Sequence, residues 1–180
     1  MSKVHFSEEQ RFNQWWIWAI LIAVAGFWIW QMVQQIFRGI PVGNNPAPDL
    51  VVILIGLFPA FGIWLFRSMT LVTTIDETGV YYRFRPFQRK PKHIRPEDIS
   101  RFEVKKYNPI MDYGGWGIRL GSSKKGNAYN VSGNMGVLFE FKNGKKFLLG
   151  TQNPEAVRSA MNKLMKGGEV APETPFAVKI

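Results

Sequence analysis

The stretch WWIWAILIAVAGFWIWQMV, residues 15–33, decides the class of fold, because Gln31 is its only strongly polar residue. At a rise of about 1.5 Å per residue, an α-helix of this length spans roughly 28 Å, the thickness of the hydrocarbon core of a bilayer. Tryptophans lie at both ends of the stretch, as expected for rings placed at the two lipid–water interfaces. We therefore predict a transmembrane helix over residues 15–37.

A second apolar stretch, LVVILIGLFPAFGIWLF, covers residues 50–66 and consists of 17 uncharged residues that include Pro59. A proline is tolerated in a transmembrane helix because neighbouring helices and local adjustments satisfy the carbonyl that it frees. The segment between the two stretches, residues 38–49, is rich in Pro, Gly and Asn and predicts an external loop. Residues 15–66 are thus expected to form a transmembrane α-hairpin.

The distribution of Lys and Arg predicts the orientation of this hairpin. The loop at 38–49 does not share the basic character of its flanks, since its one basic residue is Arg38. The leader, residues 1–14, contains Lys3 and Arg11, and more basic residues follow the second stretch. Because segments rich in Lys and Arg stay on the cytoplasmic side, we expect a multi-pass protein of the inner (cytoplasmic) membrane with both termini in the cytoplasm.

Small residues in both helices leave two packing arrangements open. Residues of this kind let helix backbones approach closely, either within the hairpin or between two copies of the chain. Those with helical spacing are Ala19, Ala23, Gly26, Gly56 and Ala60.

The composition excludes some chemistries and favours an anionic neighbour. The 180 residues contain no cysteine, which excludes disulfides, thiolate metal sites and cysteine nucleophiles. Lys and Arg outnumber Asp and Glu by 23 to 13, giving a formal net charge of +10. Such a charge is typical of proteins that approach a membrane surface or another polyanion.

After residue 69 the sequence changes to the two-residue period of β-strands, as in VYYRFR, residues 80–85. Asn143-Gly144 between two such segments is a strong hairpin signal. The seven predicted strands are Leu71–Ile75, Val80–Arg85, Ile99–Tyr107, Trp116–Leu120, Ala128–Val131, Gly136–Lys142 and Lys145–Thr151.

One amphipathic helix is predicted after the strands. Asn153 suits the N-cap, Pro154 the first helical position and Gly167 the C-cap. Its apolar stripe consists of Val157, Ala160, Met161 and Leu164. We therefore expect a cytoplasmic domain at residues 69–166, followed by a flexible tail at residues 167–180.

This order of elements, together with three short motifs, resembles a known family. The motifs are GGWGIR at 114–119, AYNVSGNMGV at 128–137 and NGKKFLLGTQNPE at 143–155. They are similar to those of small bacterial membrane proteins with two N-terminal spans and a cytoplasmic PH-like (pleckstrin-homology superfold) domain. The resemblance covers residues 15–164 and implies a mainly-β (α+β) PH-like barrel of seven antiparallel strands with a C-terminal capping helix. It implies no particular activity.

The glycine-rich stretch at residues 114–136 does not match a nucleotide-binding motif. Neither a dinucleotide fingerprint nor a P-loop fits, since strands rather than a helix follow Gly126. His5 and His93 lie far apart and form no metal-binding pattern. We therefore expect no nucleotide, metal or other cofactor, no nucleic acid and no catalytic residues.

Two groups of residues are candidates for binding a partner. The segment from Arg83 to Arg95 contains six basic residues and no acid, so it either contacts anionic lipid headgroups or an acidic partner, or reflects the positive-inside bias alone. Asp76 and Glu77 occupy the first hairpin turn, where phosphoinositide-binding PH domains generally have basic residues, which argues against phosphoinositide recognition. The basic residues are Arg83, Arg85, Arg89, Lys90, Lys92 and Arg95, and the glycine-rich stretch adds Arg119, Lys124, Lys125 and Tyr129.

The favoured hypothesis is a membrane-anchored interaction or scaffold module that binds a membrane protein partner, a second copy of itself or anionic lipid headgroups. An accessory or assembly subunit of a membrane protein complex is the alternative. An enzyme acting at the membrane is disfavoured because the sequence offers no recognisable catalytic set.

Overall fold

The computed structural model describes residues 3–41, 43–121 and 125–165. The chain divides into two compact units. One unit is Phe12–Met69, and the other is formed by the segments before and after it, here called the β-domain.

The first unit contains the two apolar helices that the sequence predicts. Helix α1, Trp15–Met32, continues as a π-helical turn over Val33–Phe37, and helix α2 covers Asp49–Ser68. With 23 and 20 residues, both are long and apolar enough to cross a membrane. Among the described residues of these helices, only Val52 and Pro59 are buried.

The helices pack through part of the small-residue set. A Cβ added at Gly56 would lie 2.8 Å from the sulfur of Met32, so a larger residue there would displace the methionine. A Cβ at Gly62 would lie 3.8 Å from Leu21. The remaining small residues are exposed, namely Ala19, Ala23, Gly26 and Ala60. Of the two glycines in the predicted set, Gly56 lies against the other helix, whereas a Cβ added at Gly26 would meet nothing within 4 Å.

The described residues of the β-domain form nine strands, two helices and a short 3₁₀ turn at Pro96–Asp98. The strands are β1 (Val4–Arg11), β2 (Thr70–Asp76), β3 (Gly79–Arg85), β4 (Lys92–Ile94), β5 (Ile99–Lys106), β6 (Gly117–Arg119), β7 (Asn127–Asn130), β8 (Met135–Phe141) and β9 (Lys146–Thr151). The helices are α3 (Pro109–Tyr113) and α4 (Pro154–Met165).

The strands form two sheets that do not close into a single barrel. One sheet has the order β1-β2-β3-β4 and the other the order β5-β8-β9-β7-β6. All neighbouring pairs are antiparallel except β7 and β9, which are parallel. The predicted barrel of seven antiparallel strands is therefore wrong in strand number, in closure and in one pairing.

The two strands that the sequence analysis missed have physical reasons to be overlooked. Strand β1 buries Phe6, Glu8 and Gln10 on one face, so its inward positions are mostly polar and lack the apolar alternation of a strand. Strand β4 has only three residues, too few to show a period.

Strand β1 makes the predicted leader part of the β-domain. It pairs with β2 from Phe6 opposite Ile75 to Arg11 opposite Thr70. The two strands are adjacent in the sheet, although the whole helical hairpin separates them in the chain. The hairpin is thus an insertion between the first two strands of one sheet.

Helix α4 covers the core of the β-domain. It packs against β1 and β2 of one sheet and against β5 and β8 of the other. Its predicted stripe is buried, comprising Val157, Ala160, Met161 and Leu164. The C-terminal helix is therefore confirmed, whereas Gly167 and the tail at 167–180 lie outside the described residues.

Candidate functional site

The connection between β3 and β4 holds the densest part of the predicted basic segment. We call Arg85–Pro91 the basic loop; it contains Arg85, Arg89 and Lys90, all exposed. None of these three side chains forms a hydrogen bond or ion pair with another described residue. Three cations within six residues are therefore available to an external anion.

Gln88 fixes the conformation of the basic loop. Its backbone N–H donates to the carbonyl of Phe84 at 2.9 Å, and its side-chain Oε1 accepts from the N–H of Phe84 at 3.0 Å. Its own carbonyl accepts from Nε of Arg83 at 3.1 Å, and its Nε2 donates to the hydroxyl of Tyr129 at 3.0 Å. These bonds connect the loop to strands of both sheets.

Tyr129 belongs to the core rather than to a binding surface. It is 8% exposed, and its ring meets those of Tyr82 and Phe147 at centroid distances of 5.3 Å. Burial and the neighbouring Tyr129 raise the pKa of Tyr82 to about 12. The structure therefore gives Tyr129 the role of a support for Gln88.

Lys92 also lies against this support. Its Nζ is 3.5 Å from the Tyr129 hydroxyl and 5.7 Å from the centroid of the ring, within the range of a cation–π contact. Lys92 is thus held beside the basic loop by a residue of the other sheet.

Arg95 is engaged by neighbouring acids. Its guanidinium forms ion pairs of 2.9 Å with Glu97 and with Asp98. The hydrogen bond to Asp98, then the charges of Asp98 and Glu97, raise the pKa of Arg95 above its ordinary value. The predicted basic segment is therefore not uniform, because its C-terminal end is neutralised locally.

One residue of the basic loop is apolar and exposed. Phe87 is 58% exposed, and its ring lies 6.0 Å from that of Phe84, which is fully buried. The loop thus presents an aromatic ring among free cations. The sequence analysis did not select Phe87. The signal that could have identified it is the presence of basic residues before and after it in RPFQRK, residues 85–90.

Two other candidates of the glycine-rich stretch, Lys125 and Arg119, lie beside α3 and the glycines that follow it. Nζ of Lys125 forms an ion pair of 2.9 Å with Asp112. Arg119 lies close to Gly115, where an added Cβ would be 2.8 Å from Nη2, and its buried Nε has no hydrogen-bond partner in the described chain. Lys124 lies outside the described residues.

An open groove of about 760 Å³ runs beside α3. Asn108 caps this helix, since its Oδ1 accepts the backbone N–H groups of Ile110 and Met111, both at 3.1 Å. Met111 is 78% exposed, so α3 displays an apolar side chain next to the groove. The lining residues are Lys106, Tyr107, Asn108, Pro109, Asp112, Trp116, Gly133 and Asn134.

Glu8 is the polar residue that sequence reasoning missed most clearly. Its buried carboxylate accepts hydrogen bonds from four donors and forms no ion pair with a described residue. The donors are Gln10 Nε2 at 3.0 Å, Thr151 Oγ1 at 2.8 Å, the Gln152 backbone N–H at 2.9 Å and Asn153 Nδ2 at 3.0 Å. We call these five residues the Glu8 cluster; it joins β1 to the start of α4.

Within residues 3–41, 43–121 and 125–165, no group of three or more His, Asp or Glu side chains is placed to hold a metal ion. Comparison with protein-family models, curated proteins and solved structures found no match to this chain. A functional assignment therefore depends on the geometry of the basic loop and its neighbours.

Proposed function

We propose that this protein is a membrane-anchored, PH-like interaction module whose basic loop binds anionic lipid headgroups at the cytoplasmic face of the inner membrane. The observation that carries the proposal is the set of exposed cations at Arg85, Arg89 and Lys90, which have no partner among the described residues and lie on a loop fixed by Gln88. Phosphate groups bind such cations by charge-assisted hydrogen bonds.

Chain connectivity supports a membrane as the source of these headgroups. Arg85 pairs with Thr70, and α2 ends only two residues earlier, at Ser68. Arg11, which precedes the hairpin, also pairs with Thr70. The basic loop and both apolar helices are therefore connected to the same end of this sheet.

The pairing of β1 with β2 also supports the proposed topology. Both strands belong to one sheet, so the two ends of the hairpin must lie on the same side of any membrane that the helices cross. Two spans satisfy this condition, and the excess of Lys and Arg outside the 38–49 loop favours the cytoplasm as that side.

The expected strength is modest and suits a tethered domain. Each basic residue near an anionic surface contributes about 1 kcal/mol, so three contribute about 3 kcal/mol. A short tether raises the effective concentration of the binding partner to the millimolar range, which makes such weak contacts sufficient.

Hydrogen exchange of the full chain in lipid nanodiscs tests the proposal. We expect peptides covering residues 84–92 to exchange more slowly in discs containing phosphatidylglycerol than in discs of phosphatidylcholine alone. The variant R89Q/K90Q should lose about 2 kcal/mol of the binding free energy for anionic lipid, roughly a 30-fold change in the ratio of bound to free loop. Added salt should weaken the protection of the wild type.

The matched control is K142Q/K145Q, which removes two exposed lysines from the β8–β9 turn. It should leave the protection of residues 84–92 unchanged. Equal protection in neutral and anionic discs would contradict the proposal. Protection of residues 106–116 by a co-purified protein would instead favour the accessory-subunit hypothesis, with the α3 groove as the contact.

A further inference from the structure

We infer that Phe87 enters the membrane below the headgroups, so that the basic loop binds the boundary of the acyl chains as well as phosphate. The inference rests on the proposed function and adds an apolar ligand to it. Phe87 is the one Phe, Tyr or Trp side chain in the described β-domain that is exposed, since the others are buried or partly buried.

The charge pattern around Phe87 is that of an interfacial segment. Arg85 precedes it by two residues, and Arg89 and Lys90 follow within three. Segments that lie in a membrane interface combine Lys and Arg with Phe, Trp or Leu, and their apolar side chains reach about 5–10 Å into the headgroup and acyl boundary. Long basic side chains keep their charges at the phosphate level while such a ring is buried.

The loop presents this ring without needing to reorganise. Pro86 and Pro91 restrict the backbone at its two sides, and Gln88 bonds to Phe84 and Tyr129. A segment that is already ordered loses little conformational entropy on binding. The exposed ring is therefore displayed at the surface by a defined local structure.

Met111 is an exposed apolar side chain of the β-domain without this setting. Met111 is 78% exposed, but it precedes Asp112, whose carboxylate faces Lys125. No Lys or Arg lies within three residues of Met111 in the sequence, unlike the neighbourhood of Phe87. Met111 therefore serves as a matched control for exposure without the charge pattern.

The absence of cysteine allows a direct test on the full chain. Single cysteines at position 87 (Phe87→Cys) and position 111 (Met111→Cys) would each carry an environment-sensitive fluorophore in nanodiscs. In discs with phosphatidylglycerol, we expect the label at 87 to shift its emission to shorter wavelength and to be quenched by lipids carrying a nitroxide on the acyl chain. The label at 111 should show neither change.

Unlabelled variants test the native ring. Phe87→Ala should weaken the lipid-dependent protection of residues 84–92 about tenfold, and Phe87→Trp should retain it. If the loop is protected by anionic lipid but the label at 87 stays in water and Phe87→Ala behaves as wild type, the insertion is refuted and headgroup binding stands. If anionic lipid affects neither the loop nor the label, both the inference and the proposed function fail.

Discussion

The Glu8 cluster and the basic loop use charged groups in opposite ways. At Glu8, a buried carboxylate is satisfied by four neutral donors and joins the first strand to the last helix. In the basic loop, three cations are exposed and have no partner among the described residues. The comparison teaches that a charge whose hydrogen-bonding capacity is used internally stabilises the fold, whereas one left free is available to a ligand.

The largest expected effect on stability comes from removing the buried Glu8 carboxylate. Glu8→Ala removes an acceptor shared by four donors, two of them the Thr151 hydroxyl and the Gln152 backbone N–H. Buried donors without partners cost about 1–3 kcal/mol each, and partial hydration reduces their sum, so we expect a loss of about 3 kcal/mol in the free energy of unfolding. Denaturant unfolding in detergent, followed by near-ultraviolet circular dichroism, measures it.

The neighbouring glutamate provides the control for this experiment. Glu9 is exposed and contacts Arg11 at 2.6 Å. Glu9→Ala should therefore change the free energy of unfolding by less than about 0.5 kcal/mol. Equal losses for the two alanine variants would show that burial of the Glu8 carboxylate has no special role.

A smaller effect is expected at Gln88, the polar side chain that holds the basic loop in place. Gln88→Ala removes the side-chain hydrogen bonds to Phe84 and Tyr129. We expect the free energy of unfolding to fall by about 1–2 kcal/mol and hydrogen exchange in the basic loop to become faster. Tyr129→Phe removes only the hydroxyl. In a double-mutant cycle the two changes should couple by about 1 kcal/mol, and simple additivity would contradict the support proposed for the loop.

The smallest effect concerns an exposed carboxylate that is paired. The backbone N–H of Asn108 and then Lys125 lower the pKa of Asp112 below its ordinary value. The stabilisation is therefore present above the unfolded pKa of about 4 and is lost as the pH falls through the lower folded pKa. Solvent screens this pair, so we expect it to contribute less than about 0.5 kcal/mol to the free energy of unfolding.

A chemical-shift titration of the Asp112 carboxyl checks this sign. The wild type should titrate below about pH 4, and Lys125→Gln should move the midpoint upward towards the ordinary value. A midpoint that does not move would show that Lys125 has no influence on the carboxyl.

Features with a local physical signature were predictable from the sequence. The two apolar helices are recognisable by their uninterrupted hydrophobicity. Helix α4 is recognisable by Pro154 at its start and by a stripe of apolar residues at helical spacing. The Asn143-Gly144 turn between β8 and β9 follows from the positive φ that Gly144 adopts.

Features that depend on distant partners were not predictable in this way. Glu8 and Gln10 face inward because Thr151 to Asn153 and Gly150 bind them, more than 100 residues later in the chain. Tyr129 was selected as a candidate partner contact, yet the rings of Tyr82 and Phe147 enclose it.

The candidate site shows the same division. The concentration of basic residues was visible in the sequence, but their availability was not, because it depends on which acids fold back onto them. Glu97 and Asp98 engage Arg95, and Asp112 engages Lys125, while no acid of the described chain reaches Arg89 or Lys90.

The pairing of β1 with β2 has a consequence for synthesis of the chain. Strand β1 is made before the hairpin and its partner after it, so the first sheet can assemble only once both helices have left the ribosome. In the proposed topology, a chain with one helix inserted would hold the two strands on opposite sides of the bilayer. Folding of the β-domain would then fail, and a protease that removes unfolded domains would also remove the misinserted chains.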